Sequence, residues 1–414
     1  MVRILATFAS TILALGLTFS STGLAAQSLS LDSSYAWATR NYPLIKQYDL
    51  IEKSKEYTLS NASKAYLPQL SVTAIGGYLF SSGRSDLQVI GVAQLNQSLW
   101  DGGAAKAQKN IITAASDTEK ASLDVSLYEL RSRISQVYFG ILLIDEHLTQ
   151  LAQHEAMLNN NANRIRKMNE NGLAFQTDLD EITVEQLKLT QKRIEYNYAR
   201  RGYLQVLSLF LGREVNDLTT FERPRMDLPV DTHDLLRPEM KLFESQRALI
   251  DAEDEMRKVA IMPRLGIMGA GVFLDPGVAL GPTSLSSLGV VGLSASWSVS
   301  GLYKNANQRR LNQIALRRVN VQQESFVFNN KLQTTQSQAD IQKQQAILAE
   351  DRQIVELRKR IREGYQVKYD NGIASLLDLL DATEKENEAQ TQTALHEMQL
   401  LMTIYENKIQ TGNN

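Results

Sequence analysis

A stretch of fifteen residues occurs nearly twice in this chain. Met168-Asn-Glu-Asn-Gly-Leu-Ala-Phe-Gln-Thr-Asp-Leu-Asp-Glu-Ile182 is answered by Tyr369-Asp-Asn-Gly-Ile-Ala-Ser-Leu-Leu-Asp-Leu-Leu-Asp-Ala-Thr383. The pairs Asn171-Gly172 and Asn371-Gly372 stand 200 positions apart, as do Asp178 and Asp378. Asn and Gly tolerate the left-handed backbone that ends a helix, so each copy predicts a sharp helix-to-helix turn. Two such turns in equivalent places imply a duplicated helical hairpin.

The prolines say how long those helices can be. All 8 fall at positions 43, 68, 224, 229, 238, 263, 276 and 282, leaving 69–223 and everything after 282 free of them. Proline breaks helix interiors, so its absence permits very long helices. The fill between is rich in Gln, Ala, Leu, Lys and Glu, all strong helix formers. From Asp101-Gly102-Gly103 a helical segment of roughly 68 residues is predicted, about 100 Å long at ~1.5 Å per residue. Its middle carries Leu127, Leu130, Ile134, Val137, Ile141, Ile144, Leu148 and Leu151 at alternating spacings of 3 and 4, a coiled-coil seam.

The order of elements repeats with the turns. A helical pattern from about Ser30 to Tyr66 contains Asn41-Tyr42-Pro43 and stops at Leu67-Pro68-Gln69-Leu70, where Arg237-Pro238-Glu239 and Met262-Pro263-Arg264-Leu265 are the later counterparts. After each stop the hydrophobic period changes to two, the signature of a strand. Leu70, Val72, Ala74, Gly76, Tyr78 and Phe80 alternate with Ser71, Thr73 and other residues, and Val291, Leu293, Ala295, Trp297 and Val299 alternate with Ser294, Ser296 and Ser298. Four strands of about ten residues are expected, the length of a tilted strand crossing a membrane. The resulting division is a first repeat over 26–212, with a β-hairpin at 67–100 and a helical hairpin at 101–212 tipped at 171–172. A linker at 213–234 follows. The second repeat, 235–414, has a β-hairpin at 262–299 and a helical hairpin at 301–412 tipped at 371–372.

Residues 1–25 have the form of an export signal: Arg3, an apolar run from Ile4 to Phe19, then Gly23-Leu24-Ala25. The chain has no Cys, which excludes disulfides and thiolate metal sites, and its net charge of -2 gives no argument for nucleic acid or for an anionic membrane surface as a partner. No catalytic constellation, cofactor motif or metal cage is legible, so an enzyme is not expected. His147 and His154 lie one heptad apart, and His233 and His396 are scattered, as helix or loop positions. The clusters Arg309-Arg310, Arg317-Arg318 and Arg358-Lys359-Arg360 read as solvated helix faces.

Four strands cannot close a barrel, and an open sheet edge is not viable in lipid. Several copies must therefore pool their strands, and three copies would give twelve. At this point the chain resembles the TolC-type outer-membrane efflux family, over its whole length past the export signal. The resemblance rests on Asn41-Tyr42-Pro43, Leu67-Pro68-Gln69-Leu70, Leu99-Trp100-Asp101-Gly102-Gly103, Arg237-Pro238-Glu239 and the paired turns, above all Asn371 to Thr383. It implies a mostly helical fold with a small membrane β-barrel, built as a homotrimer of twelve strands above an α-helical tunnel in the periplasm. The implied place is the outer membrane, in contact with its lipid, and the implied partners are a periplasmic adaptor and an inner-membrane pump. No cofactor is implied.

The resemblance also implies site residues. Asp378 and Asp381, three apart on one helix face, match positions that constrict the tunnel and make it cation-selective, and Asp178 and Tyr369 match two further gate positions. A gate arginine of the family corresponds to Ala374 here. Like charges held close raise one another's pKa, so a ring of such carboxylates would be partly protonated at mildly acidic pH. The competing expectation is that both carboxylates simply favour the positive end of their own helix. The tips Asn171, Gly172 and Leu173, with Asn371, Gly372 and Ile373, are small or apolar where a polar surface would be expected, which suits adaptor docking or packing between neighbouring hairpins. Export of small molecules is the leading function, beside export of proteins by type I secretion, metal-ion efflux, and a periplasmic coiled-coil adaptor of another class.

Overall fold

The computed structural model describes residues 28–81, 84–172, 174–228, 235–275 and 286–412. The export signal, Leu173, His233 and the prolines at 229, 276 and 282 lie outside them.

The pattern that begins at Ser30 makes two helices rather than one. Ser30 caps α1 (Leu31–Asn41), its Oγ accepting the Ser33 amide at 3.2 Å. Pro43 forces the residue before it into extended backbone, Tyr42 at ψ 132°, and α1 ends there. A short 3-10 turn (Pro43–Lys46) leads into α2 (Gln47–Ser63). Before α1, β1 (Ser28–Leu29) pairs in parallel with β4 (Thr220–Phe221), a strand inside the segment expected to be only a linker. The Tyr138 hydroxyl lies 2.7 Å from the carbonyls of both Leu29 and Glu222 and holds this pair against the helices.

Beyond Pro68 the chain forms β2 (Gln69–Ser81) and β3 (Arg84–Trp100), and past Pro263 it forms β5 (Arg264–Asp275) and β6 (Ser286–Ser296). These are all antiparallel in one sheet of order β2-β3-β5-β6. At 13, 17, 12 and 11 residues the strands exceed the ten expected. Trp297 lies just past β6, its indole N–H donating to the Ile261 carbonyl at 2.9 Å. That bond folds the chain out of the sheet and into the next helix.

The first long helical segment is α3 (Ala104–Tyr128) followed by α4 (Leu130–Glu170), with a one-residue irregularity at Glu129, whose φ of -60° and ψ of -22° remain right-handed helical. The return helix is α5 (Gln176–Leu211). After α6 (Pro238–Val259), α7 (Ser300–Asp370) runs unbroken for 71 residues, and α8 (Leu376–Thr411) returns. Near the sheet the neighbours run α2, α3, α6, α7; towards the tips they run α5, α4, α8, α7. The main core is where α4 meets α1, α5 and α8. Leu130, Ile134, Tyr138, Phe139 and Ile141 are buried there against Leu207, Leu211 and Leu401.

Both return helices stop on a left-handed glycine, Gly212 at φ 65° and Gly412 at φ 80°. Neither could carry a side chain. A β-carbon on Gly212 would stand 2.9 Å from that of Asn41, and one on Gly412 would stand 2.6 Å from the Leu236 carbonyl carbon. Asn41 Nδ2 donates to the Leu211 carbonyl at 2.8 Å, and the Leu236 amide donates to the Thr411 carbonyl at 3.2 Å. The elements flanking Pro43 and Pro238 are thus what closes the orphan carbonyls at the end of each hairpin.

Candidate gate and docking tips

The two turns share their geometry. Asn171 and Asn371 each end a helix with the side-chain amide donating back to the carbonyl four residues earlier, Lys167 and Val367, both at 2.7 Å. Gly172 and Gly372 follow at φ 71° and 70°, and a β-carbon on either would meet nothing within 4 Å. Left-handed backbone, not crowding, requires glycine at both positions. Ile373 is 76% exposed at the second tip.

Past each turn the return helix opens with an acid at its third position. In α8 the box is complete: Ser375 Oγ accepts the Asp378 amide at 3.1 Å, and Asp378 Oδ2 accepts the Ser375 amide at 2.9 Å and its hydroxyl at 2.6 Å. In α5 it is half made, because Phe175 stands where Ser375 does and offers no oxygen; only Asp178 Oδ2 accepting the Phe175 amide at 2.9 Å remains.

Asp378 is exposed, and the hydrogen bonds from the Ser375 hydroxyl and then its amide hold its carboxyl below the usual range. Within one protomer this opposes the upward shift expected of a ring of like charges. Asp381 is also exposed, but Lys385 Nζ sits 2.6 Å from its carboxylate, so the pair of acids carries a cation beside it. Lys192 of α5 approaches Glu384 one turn further on, at 3.5 Å.

Tyr369 is half-buried near the end of α7 against the apolar cluster of Leu151, Leu158, Ile165, Ile182 and Leu376. Burial raises its pKa, with Asp178 near enough to add to the shift. The Arg164 guanidinium of α4 lies 5.2 Å from the Tyr369 ring centroid and 2.5 Å from the Asp370 carboxylate. Burial pushes the Asp370 carboxyl up, but hydrogen bonds from Gln366 and Arg164 outweigh this and hold it below the usual range. Arg164 therefore ties the first hairpin to the second at the tips, within one protomer. Sequence reasoning missed it, although one signal was available: position 364, its counterpart in the second repeat, is a glycine.

Among the described residues, His147, His154 and His396 form no metal-binding group. His147 stacks on Tyr196 at 5.2 Å between centroids, and burial lowers the pKa of both His147 and His154. Among the described residues no group of three or more His, Cys, Asp or Glu could hold a metal ion, and no helix is long and apolar enough to cross a membrane.

No protein-family model matches the chain, and no curated protein sequence matches it. Solved structures do. The outer-membrane channel OprN aligns with a TM-score of 0.65 at 16% identity, over 93% of this chain and 90% of that one. CusC, described in conformational changes that accompany folding and transmembrane channel formation, aligns with a TM-score of 0.70 at 12% identity, over 93% of this chain and 92% of its own. The CmeC outer membrane channel of Campylobacter jejuni aligns with a TM-score of 0.65 at 15% identity, over 92% and 85%. The fold is that of outer-membrane channel proteins, mostly helical with a small antiparallel sheet, as the sequence resemblance implied.

Proposed function

We propose that this chain is one third of an outer-membrane exit duct, exported by its segment 1–25 and closed by three copies into a twelve-stranded barrel over a helical tunnel. The observation that carries this is the pair of open edges. β2 and β6 are the outer strands of the sheet, and α5 and α7 are the outer helices of the layer near the tips. Both helices expose apolar seams: Val184, Leu187, Ile194 and Tyr198 on α5, and Ile354, Leu357 and Ile361 on α7. Leu187 and Leu357 stand at the same height, 15 residues from Gly172 and Gly372 respectively. A surface that matches a different surface on the next copy closes a ring when the rotation permits.

The sheet supports insertion in lipid. One face carries Leu70, Val72, Leu95, Ile267, Val291 and Leu293, with Tyr78 and Phe273 towards one end and Trp100 and Trp297 at the other. An apolar band between aromatic ends is the pattern of a barrel's lipid face. Because the chain has no Cys, Leu187→Cys with Leu357→Cys gives a clean cross-linking test. A covalent three-chain species in outer-membrane fractions is expected; a soluble monomer overturns the duct.

At the tips, Asp378 and Asp381 line the tunnel's constriction, with Asp178 and Tyr369 shaping its closed form. Asn171, Gly172, Asn371, Gly372 and Ile373, with Leu173 outside the described residues, meet a periplasmic adaptor that carries cargo from an inner-membrane pump. Small molecules are the cargo. In planar bilayers the duct should be cation-selective. Asp378→Asn with Asp381→Asn should lose that selectivity while conductance persists, and unchanged selectivity would leave both carboxylates in the role of helix caps.

A further inference from the structure

Asn171-Gly172 and Asn371-Gly372 are the only Asn-Gly pairs in the chain, and both stand exposed at the hairpin tips. Such a pair carries a reaction of its own. The glycine amide nitrogen, unshielded by any β-carbon, can attack the side-chain carbonyl carbon of the asparagine before it. A bond from nitrogen to Cγ forms, the side-chain nitrogen leaves as ammonia with the proton that the glycine nitrogen gives up, and a five-membered succinimide remains. Water then opens the ring at one carbonyl or the other, leaving aspartate or isoaspartate. Solvent is the only co-reactant.

The turns can dispense with neither residue. Left-handed backbone at φ 71° and 70° requires the glycines. The asparagines supply the amide that donates to the carbonyls of Lys167 and Val367 at 2.7 Å. The same geometry holds the reaction off. Both asparagines lie at ψ 7°, where the glycine nitrogen eclipses the asparagine's own nitrogen and is turned away from its β-carbon. A five-membered ring requires that nitrogen beside the β-carbon. The side-chain amide is meanwhile drawn back along the helix, and the glycine N–H donates to the carbonyl of Asn169 at 2.9 Å or of Tyr369 at 3.0 Å. Attack has to wait until the cap opens and the reacting atoms can meet.

Because glycine follows both asparagines, their intrinsic chemistry is shared, and a difference in rate comes from the turns. Behind Asn371 the box of Ser375 and Asp378 is complete, whereas behind Asn171 Phe175 leaves it half made. A helix start with fewer cap bonds frays more often. The product is final. A carboxylate has no N–H to return to the carbonyl four residues back, and it stands at the negative end of a helix dipole.

We propose that Asn171 and Asn371 are sites of spontaneous deamidation, released when their caps open, with conversion faster at the first tip than at the second. Each event replaces a neutral cap by a carboxylate that cannot re-form it, so a converted tip stays loosened. The chemistry belongs to the turns of one chain and does not depend on assembly into a duct.

Peptide mass spectrometry on the purified full-length protein, aged at mildly alkaline pH and digested in acid, tests this. In denaturant the two sites should convert within twofold of each other and ahead of every other asparagine. In the folded protein both should slow by roughly tenfold or more, and Asn171 should outrun Asn371 several-fold. Ser375→Ala, which takes the hydroxyl from the second box, should bring Asn371 up towards the rate of Asn171 and leave Asn171 unchanged. Asn371→Asp, the product made genetically, should raise amide exchange at Gly372 several-fold. Folded rates equal to the denatured ones overturn the protection. No conversion in the folded protein, or equal folded rates at the two sites, overturns release by the caps, and the wild type alone decides this should a variant fail to fold. A rate at Asn371 blind to Ser375→Ala does the same, and unchanged exchange in Asn371→Asp overturns the loosening.

Discussion

The two helical hairpins share return helices of 36 residues and one tip geometry, yet they are held together by different chemistry. In the first, the seam of α4 is Leu130, Ile134, Val137, Ile141 and Ile144, buried or half-buried along its length. In the second, the matching seam of α7 is interrupted by a polar residue at every heptad, Asn330, Ser337, Gln344 and Asp351, each bonded across to α8. Asn330 Nδ2 donates to the Gln410 carbonyl at 2.7 Å, Ser337 Oγ to the Thr403 carbonyl at 3.5 Å, and Gln344 Nε2 to Gln399 Oε1 at 3.3 Å. Asp351 lies 2.6 Å from His396 Nδ1, and Arg362 closes the series on Glu386 at 2.7 Å. Apolar seams stabilise by area and tolerate little separation; polar rungs fix register but exchange readily for water when helices part. The first seam is thus apolar along its length, while the second alternates an apolar cluster of Ile341, Leu348, Leu400 and Ile404 with polar rungs.

The largest effect should come from attacking the core of the first hairpin. Phe139 is fully buried between α4 and its neighbours, and Phe139→Ala should cost about 3–5 kcal/mol. Denaturant unfolding of the detergent-solubilised protein checks this, with Ser337→Ala in the second seam as the control, expected to cost no more than roughly 1 kcal/mol. Equal losses would erase the distinction between the hairpins. Next in size is the tie between them. Arg164→Ala removes the ion pair to Asp370 and the contact with Tyr369, and should raise the open probability of single channels several-fold without changing their conductance. Ala374→Arg, restoring the arginine that the resemblance places there, should lower it. An unchanged open probability in Arg164→Ala would mean the tips are closed by contacts between copies alone.

The smallest effect concerns Glu406 of α8, whose carboxyl pKa is raised by burial. A carboxyl raised in the folded state favours folding while it is protonated, and that contribution is lost as pH rises through its folded value. Glu406→Gln should therefore stabilise the protein at neutral pH, by less than about 1 kcal/mol in so partly buried a site, and the gain should vanish below the ordinary carboxyl pKa of 4.5. A gain that persists in acid would point to a cause other than titration.

The fold was legible wherever the sequence repeats or changes period. Asn171-Gly172 and Asn371-Gly372, the run of prolines and the alternation after Pro68 and Pro263 each impose backbone behaviour that no tertiary contact needs to supply. What escaped was set by contacts between distant segments. The break at Tyr42 was visible only as a proline inside a helical pattern. The strand at Thr220–Phe221 is two residues long and exists because Ser28 and Leu29 lie beside it. At the tips, Asp378 was legible as an acid at the positive end of its helix. Arg164 was not, because its meaning depends on Tyr369 and Asp370, more than 200 residues later. Lys385, four residues past Asp381 on the same helix, pairs with it by local spacing alone.

The 200-residue offset between the tip glycines has a consequence of scale. Each hairpin measures a depth, and each residue added to or removed from a helix changes that depth by ~1.5 Å. In a ring of three copies six tips must end in one plane, or a partner that presses on all six will touch only some. Deleting one heptad from both helices of a single hairpin would retract its tip by ~10 Å and leave alternate tips stranded. Taking one heptad from all four long helices would shorten the whole tube and keep its rim flat. In the proposed trimer the two return helices, 36 residues each, would work as a gauge that gives the tube a square end.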